Sequence, residues 1–165
     1  MLKTSVLLGF VLMAVAFTAC EKDAPYDGET QLEIDDAIIA RYLLDSNVTV
    51  MEKHSSGLYY NILESGTGNA VSVEDTVYAT YSLKILKDSA MLSRSMDSTF
   101  KFQLPGYIEG WKIGVSLIRP GGKIRLIVPS PLGYQQRAVT SPVIPPNSIL
   151  DITLRIVSVK NKKTK

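Results

Sequence analysis

The residues best placed to act on a ligand lie between Phe100 and Trp111, and they are rings rather than acids, bases or nucleophiles. Phe100, Phe102 and Leu104 alternate with Lys101 and Gln103, which is the period of a strand with one apolar face. Pro105-Gly106 breaks that strand. Ile108, Gly110-Trp111, Val115 and Ile118 follow at a spacing that suits a short buried helix. Trp111 is the only tryptophan, and it stands where strand hands over to helix. Such a junction can gather several large rings around one cavity, so the stretch reads as the floor and one wall of an apolar pocket. The same rings would serve equally as core filler. Other chemistry is scarce. His54 is the only histidine and Cys20 the only cysteine, so there is no metal site of recognisable spacing and no internal disulfide. No cofactor is implied.

The flanking elements must hold those rings. Leu58 to Glu64 reads as a strand closed by Ser65-Gly66-Thr67-Gly68. Asp75 opens a longer one, with Val77, Ala79, Tyr81, Leu83 and Ile85 on one face and Tyr78, Thr80, Ser82 and Lys84 on the other. Tyr81 therefore points inward, where its hydroxyl needs a partner. Lys87 to Thr99 is polar and reads as a loop or bulged edge strand. Pro120-Gly121-Gly122 turns into a strand over 123–128, with Ile124, Leu126 and Val128 inward, and Pro129-Ser130-Pro131 stops it. A long loop runs to Asn147, and loops of that length in compact domains are usually functional. Leu150, Ile152, Leu154 and Ile156 alternate along a last strand. Many strands and few helices predict an α+β class, an antiparallel sheet wrapped around a short helix. Before this body, Thr30-Gln31-Leu32-Glu33 is a capping-box pattern. Ile34, Ile38 and Tyr42, with Ile39 and Leu43 beside them, predict a helical extension that Ser46-Asn47 ends. That helix either packs on the domain or pairs two chains as a homodimer.

The chain has 165 residues, a net charge of +2 and 21% charged residues, which fits one domain with a targeting segment. The mild positive balance makes no case for nucleic acid, because the Lys-rich end is short and terminal. The N-terminus reads as an export signal: Lys3 supplies a positive start and Val6 to Phe17 is nearly continuous apolar sequence. Phe17-Thr18-Ala19-Cys20 resembles a bacterial lipobox, although Phe17 is an unusual first residue for it. Cleavage before Cys20 would leave a lipidated cysteine anchored in a membrane, since acyl chains contribute roughly 0.8 kcal/mol per buried methylene. An ordinary signal peptide with an incidental cysteine is the alternative. The start Cys20-Glu21-Lys22-Asp23 is similar to export tags of surface lipoproteins of the Bacteroidetes. The expected organisation is a lipoprotein signal at 1–19, tether and helix at 20–47, a domain at 48–160 and a basic tail at 161–165.

Taken in order, Gly66-Thr67-Gly68, Asp75-Thr76-Val77, Tyr81, Phe100-Lys101-Phe102, Ile108-Glu109-Gly110-Trp111, Gly114, the run 122–129, Tyr134 and Ile144-Pro145-Pro146-Asn147 resemble the FKBP-type peptidyl-prolyl isomerases over about residues 57–159. The resemblance implies an FKBP-like fold and a pocket for a prolyl ring. Trp111 would be its floor; Tyr81, Phe100, Tyr107 and Ile108 would line it, and the Ile108 amide would face the peptide. Tyr134 would reach over it with its hydroxyl toward a substrate carbonyl. Val143 and Ile144 would form the far wall, with Ile152 beneath. The chain departs from the family where a Phe-Asp pair is usual, since Leu92-Ser93 stands there. Ile152 replaces an aromatic, the usual Gly after the loop tyrosine is displaced to give Leu132-Gly133-Tyr134-Gln135, and the segment between Leu104 and Ile108 is short. The implied partners are proline-containing polypeptides and a membrane, in the cell envelope at the outer membrane. The implied function is prolyl isomerisation during folding of exported proteins; the alternative is a non-catalytic chaperone or peptide-binding lipoprotein.

Overall fold

The computed structural model describes residues 25–97 and 100–161, so Cys20 and the apolar leader lie outside the described residues. The alternation from Asp75 onward produces strand β3 (Thr76–Ile85), which pairs antiparallel along its length with the last strand, β9 (Leu150–Lys160). A bulge between Tyr78 and Ala79 shifts the register of that pair once. The other side of β9 takes β6 (Lys123–Val128), and β6 takes β2 (Tyr59–Glu64) and then the short β1 (Glu52–Lys53). The polar segment after Lys87 supplies β4 (Ser93–Ser95), and β5 (Lys101–Phe102) also pairs with β3. Ile152 is paired to Leu83 on one side and Leu126 on the other, so three strands bring their apolar rows onto one face.

That face is closed by helix α2 (Glu109–Ser116). Ile124, Leu126, Val128, Leu150, Ile152, Leu154 and Ile156 are almost fully buried there with Trp111, Val115 and Ile118 from the helix segment. Gly110 and Gly114, one turn apart, face the sheet. A Cβ on Gly110 would collide with the Val128 methyls and one on Gly114 with the Leu126 methyls. The helix therefore sits as close to β6 as backbone allows, and Trp111 beside Gly110 is fixed in height and direction.

The opposite face carries helix α1 (Gly28–Asp45). Its start differs from the capping-box expectation. Asp27 is the N-cap, accepting hydrogen bonds from the Glu29 and Thr30 amides at 3.0 and 3.3 Å, while the Thr30 hydroxyl donates to Asp27. The buried stripe also differs. Ile34 and Ile38 are 50% and 39% exposed, whereas Asp35 and Ile39 are buried and Tyr42 and Leu43 pack beside them. Apolar periodicity misses this rotation because one of the inward residues is a carboxylate. The second cluster joins Ile39 to Tyr59, Leu86, Ile127 and Ile149. Ile127 is thus buried on the face away from α2, which gives β6 two apolar faces at its end. Asp36 accepts from the Tyr59 hydroxyl at 2.7 Å and pairs with Lys53, while Arg125 reaches both the Tyr42 hydroxyl and Asp151.

The long segment after β6 is more ordered than a bare loop. It holds a 3-10 turn over Ser130–Leu132 and a hairpin of β7 (Val139–Thr140) with β8 (Val143–Ile144). The seating of α2 yields a stability test. Gly114→Ala improves intrinsic helix propensity by about 0.8–1.0 kcal/mol but overpacks against Leu126, which is fully buried. A net loss of about 1–2 kcal/mol is expected in chemical denaturation. A midpoint equal to or above the parent's would show that the helix has room to spare.

Candidate functional site

The rings of the 100–111 stretch do meet residues from distant parts of the chain. β5 ends at a 3-10 turn over Leu104–Gly106, in which the Tyr107 amide donates to the Leu104 carbonyl at 3.1 Å. Pro105 suits the first turn because it has no N–H to leave unpaired. The chain is extended at Tyr107 and Ile108, and the Ile108 carbonyl then starts α2 by accepting from the Trp111 and Lys112 amides. No backbone hydrogen bond from the Ile108 amide occurs among the described residues. Glu109 in the first turn complements the helix dipole.

A cavity of about 250 Å³ opens above this junction. Tyr81, Phe100, Tyr107, Ile108, Trp111, Tyr134 and Ile152 all line it, so seven of the nine expected pocket residues are brought together. Tyr107 stacks on Trp111 with centroids 5.5 Å apart and planes at 29°. Tyr81 meets the Trp111 ring edge-on at 5.6 Å and leans on Phe100 at 4.6 Å. Rings at such spacings stabilise one another through their quadrupoles as well as by burial. Trp111 is buried, and its Nε1 has no hydrogen-bond partner among the described residues.

Val143 and Ile144 are placed elsewhere. Val143 is 69% exposed on the outer side of the β7–β8 hairpin, and Ile144 points down into the core at 1% exposure. Neither lines the cavity, because alternation along β8 sends one outward and the other beneath it. Pro142 at the hairpin turn closes that side instead, together with Leu150 from β9. Leu83 and Ser93 complete the wall. Leu83 and Leu150 share the strand faces of Tyr81 and Ile152, so period-two alternation would have found them. Ser93 had no local signal; it arrives by pairing of β4 with β3, opposite Leu83. Its hydroxyl shares a hydrogen bond of 2.8 Å with that of Tyr81, which supplies the partner an inward tyrosine requires. Leu92 packs against the core.

The lining contains no Asp, Glu, His, Lys or Arg. Its titratable groups are three tyrosines. Burial raises the phenols of Tyr107 and Tyr134 above their ordinary value, with a smaller contribution from Tyr81 nearby. Both hydroxyls are thus protonated donors at neutral pH. A shallower groove of about 620 Å³ adjoins the cavity, sharing Gly106, Tyr107, Ile108 and Tyr134 and extending to Glu109, Arg137 and Thr140. Among the described residues no group of three or more His, Cys, Asp or Glu could hold a metal ion. The arrangement can take up a compact apolar group, hold it against an indole and offer a neutral hydroxyl to a neighbouring carbonyl.

Comparison with known proteins agrees with this geometry. The family model for FKBP-type peptidyl-prolyl cis-trans isomerase matches residues 68–157. The chain is 36% identical over 112 residues to the FKBP-type peptidyl-prolyl cis-trans isomerase FkpA of Escherichia coli, a match covering 64% of this chain and 39% of that protein. The chain spans less than half the length of the curated relatives it matches. The crystal structure of FkpA from Escherichia coli superposes with a TM-score of 0.66 at 30% identity, covering 80% of this chain and 64% of that one. A peptidyl-prolyl cis-trans isomerase structure from Pseudomonas syringae has the same fold, with a TM-score of 0.67 at 22% identity over 84% of this chain and 98% of its own. With an antiparallel sheet closed on α2, a ring-lined cavity at its edge and a family match over more than half its length, this chain belongs to the FKBP-type peptidyl-prolyl cis-trans isomerase family.

Proposed function

We propose that this protein catalyses cis/trans isomerisation of X-Pro bonds in exported polypeptides and is held in the cell envelope by lipid on Cys20. The observation that carries the catalytic part is the cavity itself: it is open, neutral, ring-lined, and covered on one side by Tyr134. The reaction needs no nucleophile. Its barrier is rotation about an amide, about 18–20 kcal/mol, between X-Pro isomers that differ little in energy. Twisting the amide abolishes C–N resonance and makes the carbonyl less dipolar. A site poor in water and charge therefore disfavours the planar amide more than the twisted one. A prolyl ring resting on Trp111, between Tyr107 and Ile152, would be fixed while the preceding carbonyl swings toward the Tyr134 hydroxyl. Ser93 holds Tyr81 in place without putting a charge in the wall.

The uncharged Ser93 also favours a second reading, a non-catalytic module that binds proline-containing segments on the same surface. Proline-limited refolding of a client by the purified chain separates the two. Turnover that Trp111→Leu lowers by roughly tenfold or more supports catalysis; binding without acceleration supports the module. Tyr134→Phe should cost about 1 kcal/mol, or roughly fivefold in rate, as for one neutral hydrogen bond.

The absence of charge makes a pH prediction. The raised phenols of Tyr107 and Tyr134 keep their protons up to and beyond the ordinary value of 10.0. Isomerisation should then be level across the neutral range, and Ser93→Asp should introduce a limb in the acidic range. An ionisation limb near neutrality in the parent chain would place an unrecognised titrating group at the site.

The envelope assignment rests on the leader and Cys20. Among the described residues no helix is long and apolar enough to cross a membrane. Cys20→Ala is expected to move the protein from the membrane to the soluble fraction, and persistent membrane association would remove the lipid anchor. The exposed Ile34 and Ile38 on α1 support pairing of two chains through that helix at the outer membrane.

A further inference from the structure

Helix α1 lies on the face of the sheet away from the cavity, yet one of its side chains reaches the segment that carries Tyr134. Asp35 is 1% exposed. One of its oxygens accepts from Gln31 Nε2 at 2.8 Å, and the other accepts from the Ser130 backbone amide at 2.6 Å, across 95 residues of sequence. Ser130 lies between Pro129 and Pro131, neither of which has an N–H. Its amide is therefore the only main-chain donor in that tripeptide, and Asp35 takes it. A hydrogen bond from a backbone amide to a carboxylate is among the stronger kinds a loop can make.

Ser130 also organises the turn beyond it. Its carbonyl accepts from both the Gly133 and Gln135 amides at 2.9 Å, so the two neighbours of Tyr134 are tied to one peptide unit. The Gln135 carbonyl in turn accepts from Asn147 at 2.8 Å, which closes the base of the segment. Gln135 has a φ of 58°, a conformation that a side-chain-bearing residue holds only when its surroundings impose it. The Tyr26 and Ser130 hydroxyls are buried beside Asp35 without a hydrogen-bond partner within the described residues. Asp35 is thus the polar group that ties α1 to this turn. The helix itself is held independently by Ile39, by Asp36 with Tyr59 and Lys53, and by Tyr42 with Arg125.

We propose that Asp35 is a positioning residue for the site: through the Ser130 peptide it sets the 130–135 turn and so holds Tyr134 over the cavity, making α1 part of the isomerase rather than a spacer before it. The inference deepens the isomerase reading and rests on it for its effect on turnover.

The test is a double-mutant cycle in the full chain, with amide exchange as a second readout. Asp35→Ala should lower kcat/KM by up to roughly fivefold, the limit set by the Tyr134 hydroxyl. In a Tyr134→Phe background the same change should cost roughly nothing, because both substitutions remove one effect. Asp35→Asn, which keeps an acceptor, should recover most of the loss. Hydrogen exchange at the Ser130 and Gln135 amides should quicken in Asp35→Ala, while amides in the middle of α1 keep their protection. Equal losses in both backgrounds, or unchanged exchange at Gln135, would overturn the proposal. If the parent chain showed no isomerase activity the catalytic reading would fall, and exchange at Gln135 alone would decide whether Asp35 sets the turn. Should Asp35→Ala fail to fold, Asp35→Glu displaces the acceptor by one methylene and carries the same cycle.

Discussion

Direct seating of the α2 backbone on the side chains of β6 is the constraint on which the rest of the molecule depends. Gly110 and Gly114 let the helix backbone approach Val128 and Leu126 to a distance no larger residue permits. Interiors are packed like crystals, so such an approach leaves little freedom in height or rotation. Trp111 follows Gly110 directly, and its ring is consequently held at one level in the cavity that Ile152 also lines. Three of the cavity's other rings are placed against it: Tyr107 stacks on it, and Tyr81 and Phe100 meet its edges, with Phe102 packed behind.

The cavity stays open because its walls are too stiff to collapse. Aromatic side chains have few rotatable bonds, and each of these rings is braced by at least one other. The polar atoms that do enter are few and matched, as with the Tyr81 and Ser93 hydroxyls. A neutral, braced hollow of about 250 Å³ differs from a core in having room left for a compact apolar group. The departures from the family pattern keep that character. Leu92 turns into the core, and Ser93 retains a hydrogen bond where a carboxylate would add charge.

The far side of the sheet contributes differently. Asp151 is buried, accepts two hydrogen bonds from Arg125 and lies 3.5 Å from Lys84. Asp151 beside it raises the Arg125 guanidinium above its ordinary pKa. Breaking such a pair leaves an uncompensated charge and typically costs about 3–5 kcal/mol. Tyr42 adds α1 to this group, so the helix is attached by polar contacts at the middle and end and by Ile39 between them.

Much of this was legible in the residues alone, because it depends on neighbours in the chain. Two-residue alternation assigns the inward rows of β3, β6 and β9, and Pro105-Gly106 marks the break after which the helix carrying Trp111 begins. Of the nine pocket residues expected from the ordered motifs, seven line the one cavity. What alternation could not supply was anything decided by a partner far along the chain. Ser93 reached Tyr81 through strand pairing, and Val143 and Ile144 left the wall because the hairpin put Pro142 there. The buried stripe of α1 was hidden because a carboxylate belonged to it. Hydrophobic periodicity counts apolar residues, and Asp35 is inside because Gln31, one turn before it, and an amide between two prolines, 95 residues away, both give it donors.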